Sequence, residues 1–197
     1  MLKVGLTGSI ATGKSYIADL FRKHHVPVLD SDAYVQKLYS EDKSFLEFVK
    51  QHFPEAIVSG HIDRALLGRM VFSDKDRLDL LESFIHPKIA QERAQFVALH
   101  RDKKFIVFDI PLLYEKDIAK KMDLVVCTYC DSALQKARAL KRDKMNAQKL
   151  DQILEHQLPQ SKKIKLADFA VDTGESKFKT FLRFKTIMKR LEHLHLL

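Results

Sequence analysis

The sequence predicts an α/β protein, a five-stranded parallel sheet flanked by helices, carrying a helical insert and a short helical lid. Three observations carry this reading. Five short runs rich in β-branched and aromatic residues occur at 3–7, 27–30, 105–109, 123–128 and 168–172. Segments of helical period alternate with them, as in βαβ units. The third and fourth runs are almost continuously apolar, which is how strands covered on both faces of a parallel sheet read. The length of 197 residues is that of one domain.

The elements follow in order. Strand one, Lys3–Thr7, is followed by Ile17, Leu20 and Phe21, spaced for one face of a helix. Strand two ends at Asp30. Residues 33–100 then carry no convincing strand and are too long for a loop, so they are expected to form several helices. Leu38, Phe45, Phe48, Val49, Leu66, Leu67, Val71 and Phe72 are expected to supply their core, and Leu78, Leu81 and Ile85 repeat at helical spacing. After strand four, Ser132 and Gln135 form a capping-box pattern opening a helix through Arg142. The polar, basic interval 141–166 reads as a helical lid, and 176–195 as an amphipathic final helix. The expected division is therefore a core (about 1–32, 101–140 and 167–197), an insert (about 33–100) and a lid (about 141–166) within one domain, 1–197.

Composition excludes several classes. At 46% hydrophobic and 30% charged the chain is ordinary for a globular protein. It has no run of 18 apolar residues, and Met1–Gly5 leads directly into a strand, so neither a membrane span nor a cleavable signal is expected. Two cysteines cannot form a disulfide scaffold, which fits a cytoplasmic location. Residues 1–100 hold 13 basic and 13 acidic residues, whereas 101–197 hold 21 and 13, so the whole excess of +8 lies in the second half. Nucleic acid, an anionic membrane surface and a polyphosphorylated small molecule are all acidic partners that such a field suits.

The strongest motif is Gly8-Ser9-Ile10-Ala11-Thr12-Gly13-Lys14-Ser15, which fits G-x-x-x-x-G-K-[ST] between a strand and a helix. Glycines let the backbone turn and approach a ligand, and successive N–H groups at a helix N-terminus face phosphate oxygens. Lys14 would sit on the β- and γ-phosphates of ATP, and the Ser15 hydroxyl would ligate Mg²⁺. Asp30 and Asp32 stand at the carboxyl end of strand two, where open parallel sheets bind ligands. One could hold Mg²⁺ and the other accept a hydrogen bond from an acceptor hydroxyl; the alternative is that Asp30 or Ser31 caps the next helix, which does not need a second acid. Asp109 closes the apolar third strand and would orient Mg²⁺ opposite Ser15. Arg138 and Arg142, spaced i, i+4, would share a face suited to a transferring phosphoryl group, and Lys136, Lys141 and Lys144 read as a solvated basic face.

Taken together the motifs resemble the dephospho-coenzyme A kinase family of P-loop small-molecule kinases. The likeness runs from Val4 to about Ser176 through Val28–Asp32, Gly60–Arg64, Leu67-Gly68, Val71-Phe72, Ile85-His86-Pro87, Asp109–Glu115, Arg138…Arg142-Asp143, Gln157 and Ala167-Asp168. The sequence departs from the family's usual G-G-I-G-S-G loop at Ser9 and Ala11, has Asp172-Thr173-Gly174 where an Asn is usual, and lacks an Arg near Gln152. The resemblance implies transfer of the γ-phosphate of ATP, with Mg²⁺, to the ribose 3′-hydroxyl of dephospho-CoA. It implies Asp32 as base, with Lys14, Arg138 and Arg142 meeting the developing charge. Gly8, Ala11, Thr12, Gly13, Lys14, Ser15 and Tyr16 would bind ATP, and Asp32, Arg64, His86, Pro111 and Leu112 the acceptor; Ser15, Asp30 and Asp109 would be the metal residues. His86 reads equally as a core imidazole capping its helix before Pro87. The implied partners are ATP and dephospho-CoA, without nucleic acid or membrane, in a protein expected to be monomeric. Cys127-Thr128-Tyr129-Cys130 reads as a buried strand end, not a redox pair, and none of the nine histidines has metal-ligand spacing.

Overall fold

A computed structural model describes residues 1–143 and 145–194; Lys144 of the expected basic face and position 195 of the expected last helix lie outside them. In chain order the elements are β1 (Leu2–Gly8), α1 (Lys14–Lys23), β2 (Val28–Asp30), α2 (Ser31–Glu41), α3 (Lys43–His52), β3 (Ile57–Val58), β4 (His61–Ile62), α4 (Arg64–Phe72) and α5 (Lys75–Leu99). They continue with β5 (Phe105–Asp109), β6 (Leu124–Tyr129), α6 (Ser132–Leu140), α7 (Ala147–Glu155), α8 (Gln160–Leu166), β7 (Phe169–Asp172) and α9 (Lys177–Leu194). The chain divides into two compact units, Met1–Leu29 with His100–Leu197, and Asp30–Leu99.

The five expected strands form one sheet in the order β2-β5-β1-β6-β7. β1 pairs in parallel with β5 and β6, and β6 with β7. β5 is buried along its whole length, which explains its unbroken apolar sequence. From β1 the chain crosses to one side for β2, and later to the other for β6 and β7. The carboxyl end of β1 is thus the switch point where doubly wound sheets bind ligands. The register places Leu6 beside Asp109 and Gly8 beside Thr128, so β1 hands its loop to the ends of both neighbours.

Helix α1 buries Ile17, Ala18, Leu20 and Phe21 against the sheet, as the spacing predicts. Phe21 meets Phe184 of α9 edge-on, with ring centroids 4.9 Å apart. α9 turns Thr180, Phe184, Ile187, Met188 and Leu191 inward, while Phe178 and Leu182 lie exposed. Helix α6 differs from expectation at both ends. Its N-cap is Asp131, whose carboxylate accepts from Ala133 and Leu134 N–H, because Gln135 is turned away into a tertiary contact instead of closing a capping box. It also stops at Leu140, so Arg142 sits in the following turn and does not share a helical face with Arg138.

The unit Asp30–Leu99 has its own core of Leu38, Phe45, Val49, Phe53, Ala56, Leu67, Val71 and Leu81, and Phe48 stacks on Phe84 at 4.3 Å. Phe72 is not part of it, being 82% exposed. Leu67 and Val71 are four apart and face the core, so the next residue is rotated about 100° away. Residues 33–100 do contain strands: β3 and β4 form a minimal hairpin with Ile57 opposite Ile62. Its two turn residues, Ser59 and Gly60, have φ of 51° and 80°, the primed turn that matches strand twist. Helix α5 continues through Pro87 to Leu99, so Ile85-His86-Pro87 lies inside a helix and does not end one. Among the described residues, no helix is long and apolar enough to cross a membrane.

Candidate active site

The loop from Gly8 to Ser15 is shaped by close backbone approaches. A Cβ added at Gly8 would meet Thr12 Oγ1 at 2.7 Å and the Thr128 carbonyl oxygen at 2.9 Å, so only glycine lets β1 end this tightly against β6. Thr12 closes the turn, its hydroxyl donating to the Ser9 carbonyl at 2.7 Å. Gly13 caps α1 with φ 80°, in the left-handed region, and faces Thr173. Ala11 also adopts a positive φ of 61°. Left-handed backbone costs a residue with a Cβ about 1–2 kcal/mol. Ala11 belongs to an apolar cluster with Ala139 of α6 and Leu150 of α7, which offsets part of that cost.

Lys14 opens α1 and forms an ion pair with Asp109 at the end of β5. Asp109 is 2% exposed, and a carboxylate so buried is kept charged by partners, of which Lys14 is one. Ser15 is exposed on the first turn of α1. A hydroxyl and a carboxylate are hard oxygen donors, the type magnesium takes, and the described residues contain no cluster of three His, Cys, Asp or Glu. That set fits an ion that keeps most of its waters and arrives with nucleotide phosphates. Tyr16 points to the other side of α1, its hydroxyl donating to the Lys177 carbonyl at 3.3 Å.

The other sequence candidates have these surroundings. Asp30 is the N-cap of α2, accepting from Ala33 N–H at 3.0 Å, and Asp32 lies exposed in the first turn of that helix. Arg64 lies 4.6 Å over the Tyr39 ring. Burial raises the Tyr39 hydroxyl against the pull of that guanidinium. His86 is exposed in mid-helix, 3.8 Å from Glu82, so it is neither a core imidazole nor a helix cap. Arg138 donates to the Thr173 carbonyl at 2.8 Å and to its hydroxyl at 3.2 Å; that hydroxyl lies 2.8 Å from the Thr12 carbonyl. Arg138 thereby braces the loop after β7 and, through Thr173, the phosphate loop. Arg142 is exposed in the turn after α6.

Residues 2–177 match the dephospho-CoA kinase family. The chain belongs to that family. Curated dephospho-CoA kinases from Bartonella quintana and Rhizobium meliloti are similar to it. The first is 35% identical over 95% of this chain and 97% of its own, the second 41% identical over 89% and 91%. A crystal structure of a Thermus thermophilus protein superposes with a TM-score of 0.84 at 31% identity, covering 96% of this chain and 97% of that one. A shikimate kinase from Bacteroides thetaiotaomicron shares the fold, at TM-score 0.52 and 15% identity over 97% of this chain and 98% of its own.

In this member of the dephospho-CoA kinase family the phosphate loop is held by side chains distant from it in sequence. The Ile10 peptide is gripped on both sides, its N–H donating to Gln157 Oε1 at 3.0 Å and its carbonyl accepting from Gln135 Nε2 at 2.8 Å. The turn that follows β5 holds Pro111 and Leu112, both half-buried. The Pro111 carbonyl accepts from Thr7 Oγ1 at 3.1 Å and from Lys163 Nζ at 2.9 Å. Lys163 is fully buried and pairs with Glu115 at 2.8 Å. Beneath them burial pushes the Tyr114 hydroxyl up to about 12 and the Cys127 thiol up to about 11. Only a local signal hinted at this network, Glu115 and Gln157 standing within the resemblance; the burial of a lysine in a lysine-rich stretch has no local signature.

Proposed function

We propose that the protein transfers the γ-phosphate of ATP to the ribose 3′-hydroxyl of dephospho-CoA, releasing CoA and ADP as the last step of coenzyme A synthesis. The observation that carries this reading is the folded phosphate loop, with Lys14 at the mouth of β5, on a chain that belongs to the family over nearly its whole length. Gly8, Ala11, Thr12, Gly13, Lys14, Ser15 and Tyr16 form the ATP-binding set. The Lys14 ammonium exchanges the Asp109 carboxylate for the β- and γ-phosphates when ATP enters, and Asp109 is released. Ser15 and Asp109 would hold Mg²⁺, with Asp30 the alternative carboxylate; when bound, the ion neutralises charge on the phosphate oxygens.

Asp32 accepts the proton of the 3′-hydroxyl and orients its oxygen toward phosphorus. In a loose transition state this orientation matters more than basicity. Arg142 meets the charge on the equatorial oxygens. Arg138 contributes through the loop it braces, and Arg64, His86, Pro111 and Leu112 contact the acceptor. The basic second half supplies a field for two polyphosphates, and we assign the protein to the cytoplasm as a monomer with no nucleic-acid or membrane partner.

The test is ADP release from ATP and Mg²⁺ with dephospho-CoA, beside shikimate and a panel of nucleosides. Turnover confined to dephospho-CoA supports the reading. Turnover with a nucleoside or shikimate and none with dephospho-CoA overturns it.

A further inference from the structure

The interval 141–166 divides into two parts with different surroundings. α7 exposes most of its surface and places Leu150 and Leu154 in an apolar cluster with Ile10 and Ala11 of the phosphate loop. Residues 157–163, by contrast, are tied to the carboxyl ends of three strands. Gln157 accepts from Ile10 in the loop after β1, and the Leu158 N–H donates to Glu115 at 2.7 Å in the turn after β5. Gln160 brackets the Cys130 peptide after β6, accepting from its N–H at 3.1 Å and donating to its carbonyl at 2.8 Å. Lys163 then reaches the Pro111 carbonyl and the Glu115 carboxylate.

Lys163 is the costly member of this set. Its side chain is fully buried, and Glu115 beside it is 15% exposed, with one carboxylate oxygen lacking a hydrogen-bond partner among the described residues. A buried ion pair with incomplete hydrogen bonding gives little net stability, and apolar residues of similar volume often replace such pairs at no loss. The placement gives a reason for its presence. Pro111 lies two residues beyond Asp109, the partner of Lys14, and its carbonyl receives one donor from Thr7, next to Gly8, and one from Lys163.

We propose that Lys163, through its hydrogen bond to the Pro111 carbonyl and its ion pair with Glu115, is a positioning residue that fixes the Asp109–Pro111 turn for phosphoryl transfer. It touches neither ATP nor acceptor. Its contribution is to hold the segment that carries Asp109 at one end and the proposed acceptor contacts Pro111 and Leu112 at the other. Displacements of about 1 Å in such segments cost up to about a hundredfold in rate. This inference rests on the kinase reading given above.

The test separates position from stability. Lys163→Met alone leaves Glu115 buried without its cation and is expected to unfold the protein partly. The decisive variant is therefore Lys163→Met with Glu115→Gln, which removes both charges and keeps an acceptor for Leu158 N–H. Its Tm is expected within about 4 °C of wild type, while kcat falls at least about tenfold and the KM for ATP stays within about twofold. A double variant that keeps both Tm and kcat overturns the inference. So does one whose Tm collapses, because the pair would then serve the fold. Wild type assayed in parallel keeps the two claims apart: an inactive wild type refutes the kinase reading, and an active wild type with an equally active double variant refutes only the role of Lys163.

Discussion

Replacing Gly13 by alanine tests the shape of the phosphate loop with a magnitude that the structure supplies. At φ 80° the new side chain meets a backbone cost of about 1–2 kcal/mol, offset by about 0.4–1 kcal/mol from the stiffer unfolded chain. Its Cβ would also lie 2.9 Å from Thr173 Oγ1 and 3.0 Å from Thr173 Cβ. Thr173 cannot step aside cheaply. Its hydroxyl bonds the Thr12 carbonyl, its N–H the Tyr129 carbonyl at 2.8 Å, and its own carbonyl holds Arg138. Overpacking against so fixed a neighbour costs about 1–3 kcal/mol, for a total of about 1–5 kcal/mol. In a chain of this size that lowers Tm by roughly 2–20 °C. Gly60→Ala is the control, since Gly60 has the same φ of 80° with nothing within 4 Å of a new Cβ. It carries the backbone part alone, about 0–1.6 kcal/mol, and should lose at most about 6 °C. Thermal unfolding followed by circular dichroism, with and without ATP, reads both. Gly13→Ala should also lose the ATP-induced rise in Tm, and Gly60→Ala should keep it. Equal losses in the two variants would refute the contact between the loop and Thr173.

Lys14→Ala removes the loop cation and with it the ion pair to the buried Asp109, so kcat should fall by about 10²–10³ or more, with weaker ATP binding by calorimetry and a lower Tm. Asp32→Asn should cut kcat by a similar order while ATP affinity holds; a collapse of ATP affinity would move the proton-accepting role to Asp30. Asp42 ties α3 to Lys88: burial pushes its carboxyl up, but hydrogen bonds from Lys88, Ser44 and the Phe45 N–H outweigh this and hold it at about 2. Because the folded value lies below the unfolded one, this stabilisation is present above about pH 4 and is lost as pH falls toward 2. At a partly exposed pair it amounts to no more than about 1 kcal/mol, and urea midpoints between pH 2 and 5 should show Lys88→Met reducing that acid dependence. Both cysteines are buried with thiols pushed upward by burial, so a thiol reagent at pH 7.5 should react only after denaturant is added.

The parts legible in the sequence are those set by local periodicity and spacing. The five strands appeared as apolar runs because both faces of the sheet are covered, and Gly8 to Ser15 could be read because its glycines answer to local backbone geometry. Tertiary contacts were not legible. Gln135 looked like the far end of a capping box, yet a carbonyl 125 residues away claims its side chain and leaves Asp131 to cap the helix. Lys163 falls within the polar, basic interval 141–166, and nothing near it in sequence announces Glu115 or Pro111 as partners. The hairpin at Ile57–Ile62 has strands of two residues, too short for an alternating pattern to show, and Ser59-Gly60 is its one local turn signal. The i, i+4 spacing of Arg138 and Arg142 puts them on one face only in an unbroken helix, and α6 ends between them.

The central claim is that Asp32 and the phosphate loop direct the terminal phosphate of ATP onto one particular alcohol. Phosphorus NMR of a single turnover tests it most directly. With equimolar ATP and dephospho-CoA, a new monoester resonance assigned to the ribose 3′-position should grow in step with ADP. ADP accompanied by inorganic phosphate, or by an ester on any other oxygen, would contradict the account.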